Sequence, residues 1–96
     1  MRPGPDEPAP LYERVLHVIN DVDPERLLAI GGPRDEYRAE AEEFTERLSR
    51  GEELTPDLVA QVWRHWFTEA AWLLQPANRY VLNKFARRLA ALAMRD

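Results

Sequence analysis

The chain has no cysteine and a single serine, Ser49. The first absence excludes disulfides, thiolate zinc sites and a cysteine nucleophile. The second leaves nucleophilic catalysis without evident machinery, because Ser49 sits between Leu48 and Arg50 with no base nearby in sequence. The four glycines form no P-loop, no G-x-G-x-x-G turn and no G-x-S-x-G elbow. Neither His17 nor His65 lies in an H-E-x-x-H spacing, and the Glu-x-x-His pattern of carboxylate-bridged metal bundles is missing. No apolar run approaches the length of a bilayer span, and the N-terminus has no hydrophobic signal core. A cytoplasmic, non-membrane protein is therefore expected. No segment alternates with the period of a strand, and there is no internal repeat.

What is present describes a small helical domain. Ninety-six residues make one domain, which buries roughly 60–65% of its unfolded surface and leaves little room for an enclosed cavity. The net charge of −4 is unevenly spread. Residues 1–57 hold fifteen acids and seven bases, whereas residues 75–96 hold Arg79, Lys84, Arg87, Arg88 and Arg95 against Asp96 alone. The acidic part argues against general nucleic-acid binding. The basic end can complement a helix dipole, pair with an acidic helix, or meet phosphate.

Residues 1–10 carry four prolines and no large apolar side chain after Met1, so a disordered tail is expected there, with residues 11–96 as the single domain. A first helix is expected over about residues 11–20, with Leu11, Val15, Val18, Ile19 and Val22 on one stripe. Asp23-Pro24 reads as an N-cap and first-turn proline, opening a short helix to about residue 30 that Gly31-Gly32 breaks. Pro33 can open the next helix, to about residue 50, with Tyr37, Ala41, Phe44 and Leu48 on a narrow apolar line and Gly51 as its C′ residue. Thr55-Pro56-Asp57 restarts the chain for a helix over about 56–74. That helix is the most apolar, and it is expected to lie centrally against the first, third and fifth, with Trp63 and Trp66 in the core. Pro76 opens a last helix, to about residue 94, that buries Val81, Leu82, Phe85, Leu89 and Leu92.

Residues 23–40 resemble the signature of a family of small all-helical bacterial proteins catalogued as a domain of unknown function. The pattern is Asp-Pro, a Leu pair, Gly-x-Pro-x-Asp-Glu-Tyr and a Glu three residues on. Asp23-Pro24, Leu27-Leu28, Gly31, Pro33, Asp35-Glu36-Tyr37 and Glu40 match it. The resemblance extends over about residues 11–70 and implies a compact helical bundle. It implies no activity.

The expected fold is all-α, a compact bundle of four main helices plus one short helix. Asp35, Glu36, Glu40 and Glu43 fall on one acidic stretch, the three glutamates at i, i+4 and i+7 on a single helix face. Trp72 points away from Trp63 in a continuous helix and is a candidate interface anchor, unless it packs under the Gln75-Pro76 turn. These five residues are the expected partner-binding set. The expectation is a non-enzymatic protein-binding domain without cofactor or metal, in its sharpest form an immunity- or antitoxin-like protein that neutralises a basic partner. The alternative is a metal- or small-ligand site at the acidic corner of residues 23–40. Monomer and homodimer stay open.

Overall fold

The computed structural model describes residues 10–93. The expected tail therefore lies outside the described residues except for Pro10, as does the end of the last helix at residue 94. Four helices form: α1 (Leu11–Val22), α2 (Arg38–Ser49), α3 (Pro56–Phe67) and α4 (Arg79–Leu92). No strand occurs among the described residues, and none of these helices is long and apolar enough to cross a membrane.

The helix ends follow local chemistry where that chemistry is strong. Thr55 caps α3 by accepting from the Leu58 N–H, with Pro56 in the first turn. At the end of α2 the Gly51 N–H reaches the Leu48 carbonyl and the Glu52 N–H the Arg47 carbonyl, the paired bonds of a Schellman turn. Gly51 has φ +83, a conformation that glycine adopts without strain.

The helices form a ring. α1 neighbours α2 and α4, and α3 neighbours α4 and α2. Thus α3 lies across the ring from α1 and does not take the central place against three helices that was expected of it. What is central is one side chain of α3. Trp63 is fully buried, and its ring meets those of Tyr37, Phe44, Phe67 and Phe85 at centroid distances of 4.8 to 6.5 Å. Val15 and Ile19 of α1 and Leu89 of α4 complete the same core.

Three expected helical stretches are not helix. Residues 24–30 form linked turns, with N–H bonds from Arg26 to Asp23, Ile30 to Arg26 and Gly32 to Leu27. Residues 33–37 form another turn, so α2 starts at Arg38. α3 stops at Phe67, because Thr68 takes φ +79 and ψ 170, and residues 72–74 and 76–78 are separate 3-10 turns. The short helix expected at 24–30 is thus absent, and the short helical pieces lie instead at 72–74 and 76–78, where one expected long helix gives way to the next.

Candidate functional site

The loop of residues 23–32 and the connector of residues 68–78 meet at one corner, joined by Glu25. One Glu25 carboxylate oxygen, Oε1, accepts from the Trp72 backbone N–H (2.9 Å). The other, Oε2, accepts from the Leu73 N–H (3.1 Å) and the Trp63 indole N–H (2.9 Å). In a continuous helix those two amides would bond carbonyls one turn back. Here a carboxylate 47 and 48 residues away satisfies them, which removes the backbone reason for α3 to continue. The core tryptophan thereby gains the partner that a buried indole N–H requires.

Tyr37 ties the loop to itself. Its hydroxyl accepts from the Glu25 N–H (3.0 Å) and donates to Asp23 Oδ1 (2.7 Å). Burial first, then the bond to the Asp23 carboxylate, pushes this phenol well above its ordinary range, so it stays protonated and serves as a strut. Asp23 ends α1 in a left-handed conformation, and its carboxylate accepts from the Leu28 and Ala29 N–H groups. Burial raises the Asp23 pKa, but bonds from Tyr37, Leu28 and Ala29 outweigh burial and hold it below the usual value. Gly32 closes the loop against the Leu27 carbonyl, where an added Cβ would lie 2.6 Å from the oxygen.

The expected binding residues do not share one exposed face. Asp35 and Glu36 are exposed in the turn before Tyr37. Glu40, expected on a solvated face, is buried at 5% exposure, and its Oε1 has no hydrogen-bond partner. Burial and the nearby Glu36 charge push its carboxyl upward. Glu43 is half-buried and committed, accepting from Arg47 (2.9 Å) and from the Trp66 indole N–H (2.9 Å). The remaining α2 acids are matched in sequence, Glu42 by Arg38 and Glu46 by Arg50. The acidic face is therefore largely neutralised within its own helix.

Trp66, expected in the core, is 43% exposed, with the His65 ring edge-on to it at 5.0 Å. Trp66 stands on the last turn of α3 beside Phe67, on the side that faces Glu43 of α2 rather than the aromatic cluster. His17 and His65 are both exposed, on helices across the ring from each other. Of the basic end, Arg88 bonds Asp21 of α1 (2.7 Å), not α2. Among the described residues no cluster of three or more His, Asp and Glu side chains is arranged to hold a metal. At residues 23–40 the two deepest-set loop carboxylates, Asp23 and Glu25, already have donors on both oxygens.

Trp72 stands at the rim of this corner, 38% exposed. Its N–H is held by Glu25, its carbonyl accepts from the Asn78 side chain (2.8 Å), and the Arg26 guanidinium lies 5.8 Å from its ring centroid. Ile30, in the same loop as Arg26, is 79% exposed, and Tyr80 beyond the connector is 73% exposed. Glu25 is the residue that sequence reasoning missed. The signal was the tryptophans themselves, since a buried indole N–H in an all-helical chain needs an acceptor from outside the helix ladder. No family model, curated protein or solved structure matches the chain, so the corner is interpreted from its geometry.

Proposed function

We propose that the protein is a non-enzymatic protein-binding domain whose contact face is this corner, with Trp72 as its anchor. One observation carries the reading. Trp72 is a large, partly exposed aromatic whose backbone is fixed on both sides and whose ring is flanked by an arginine. Aromatic and arginine side chains held in place before binding are the groups that dominate interface energies, because little freedom is lost when a partner arrives. Ile30 adds exposed apolar surface in the same loop. Asp35 and Glu36 are the exposed acids of the set, and they would give steered association if the partner is basic, as in an immunity- or antitoxin-like role. The polar groups at the corner, Asp23, Glu25 and Tyr37, are engaged with one another and with the backbone, which favours a scaffold over a reaction centre.

The test is affinity capture from native-host cells, identification of the captured protein, and titration of that purified protein against variants. Trp72→Ala should weaken binding by roughly 30-fold, the scale of a hot-spot residue. Ile30→Asp, at a site too exposed to matter for folding, should weaken it as well. Asp35→Lys with Glu36→Lys should slow association and reduce its salt dependence. A captured partner indifferent to both Trp72→Ala and Ile30→Asp removes the corner as the contact face.

A further inference from the structure

We infer that the groove between the start of α1 and the end of α4 is a binding site for a small amphipathic anion, a carboxylate head on a short hydrocarbon body. The groove has a volume of about 550 Å³, within the range of small-molecule sites. Val18, Ala91 and Leu92 supply an apolar lining. Around them stand Arg14, Arg34 and Arg88, with Glu13 as the one lining acid among the described residues. Asp21 pairs with Arg88 at the rim and Glu13 lies near Arg34, and the groove offers guanidinium donors beside an apolar lining.

The arginines come from three separate elements: α1, the turn before α2, and α4. Contacts at the rim position Arg34 and Arg88. The Arg34 carbonyl accepts from the Asn20 side-chain amide (3.0 Å), which ties that turn to α1. Its guanidinium lies 3.9 Å from Glu13, beyond hydrogen-bond reach, and its side chain is 84% exposed, so its fork of donors is available to an incoming anion. Arg88 is steadied by Asp21 through one nitrogen (2.7 Å), which leaves the rest of its planar fork for a second acceptor. A guanidinium fork matches a carboxylate in shape as well as in charge. The apolar lining continues from it, so a head group alone would leave Ala91 and Leu92 uncovered. This site is separate from the Trp72 corner and does not depend on the protein-binding proposal.

The experiment is titration of the full chain with sodium octanoate, followed by calorimetry and by backbone amide shifts, with acetate, octanol and inorganic phosphate as comparisons. Octanoate should bind saturably at one site with a Kd on the order of 0.2 mM. Its shifts should centre on His17, Val18, Ala91 and Leu92. Acetate and phosphate test the head alone and octanol the body alone, and each should bind at least ten-fold more weakly. Arg34→Gln combined with Arg88→Gln should weaken octanoate at least ten-fold, as should Ala91→Trp, which fills the groove without removing charge. Arg79→Gln, an exposed arginine outside the groove, should leave it unchanged, with thermal midpoints confirming that each variant is folded. Absence of saturable binding, equal affinity for octanol or for phosphate, or equal loss in Arg79→Gln would each overturn the assignment.

Discussion

Glu25 and Glu40 are both acids drawn toward the interior, and the regions around them are built in opposite ways. At the corner, the Glu25 carboxylate collects two backbone amides and an indole, and the neighbouring Asp23 collects two amides and a phenol. In the first turns of α2, Glu40 is buried with one oxygen unpartnered, while the acids around the helix surface pair with arginines one turn away. The corner has few acids and makes full use of them. The helix has many, and they do little for the fold, since exposed i, i+4 pairs contribute only tenths of a kcal/mol. Acid density along a sequence therefore does not mark the strongest carboxylate interactions.

The largest break in this contrast should come from Glu25→Ala. It would strand the Trp63 indole N–H and the Trp72 and Leu73 amides, and we expect a loss of about 3–5 kcal/mol in urea unfolding. A loss below about 1 kcal/mol would mean that these groups find water instead. Next comes Tyr37→Phe, which removes the strut between Asp23 and the Glu25 amide at constant ring packing, with an expected cost of about 2 kcal/mol. This variant also carries a pH signature. Because the folded pKa of Asp23 lies below its ordinary 3.8, the stability that Asp23 contributes is present above that value and is lost as pH falls through the lower folded one. Without the Tyr37 bond the folded pKa should move back up, so the acid-side fall in stability attributable to Asp23 should be shallower.

Glu40→Gln sharpens the other side of the comparison, with the opposite sign. The folded pKa of Glu40 is raised, so wild-type stability declines as pH rises from the ordinary carboxylate value through the folded one. The neutral amide should therefore stabilise the protein by ~1 kcal/mol at pH 7, and the gain should shrink toward zero below about pH 4. A destabilised variant at neutral pH would show that the charge is needed where it lies. The smallest effect belongs to the surface: Arg38→Ala, which breaks an exposed i, i+4 pair with Glu42, should cost only about 0.3–0.5 kcal/mol and even less in high salt.

What could be read from sequence divides along the same line. Gly51, Thr55-Pro56 and the α1 stripe were legible because each acts on its immediate neighbours. The all-helical class followed from the same periodicity. The helices expected over 24–30 and 68–74 failed for one reason: the amides at 72 and 73 are bonded by a side chain 47 and 48 residues away, and the loop that carries it is shaped by Asp23 and Tyr37. Asp23 did act as an amide acceptor, but for Leu28 and Ala29 rather than for the first turn of a helix. Trp66 was expected in the core because it follows Trp63 by one turn, but its indole N–H turns outward to Glu43 of α2. Of the expected contact residues, Trp72 sits at the rim of the corner, Asp35 and Glu36 are exposed, and Glu40 and Glu43 are committed inside the domain. Helical spacing tells which residues share a face and does not tell which of those faces meets a neighbour.

The Glu25 bonds also determine how the molecule opens. Residues 72 and 73 sit in a 3-10 turn, a setting where backbone amides usually trade hydrogens with solvent within seconds to minutes through local fraying. Their bonds to Glu25 cannot fray locally, because the acceptor belongs to a loop whose own closure runs through Tyr37 and whose carboxylate also holds the buried Trp63. In deuterium exchange the Trp72 and Leu73 amides should therefore be as slow as those of the α1 and α3 interiors, and should accelerate together with them in denaturant. Two amides of a short connector thus become reporters of the whole domain's cooperative unit.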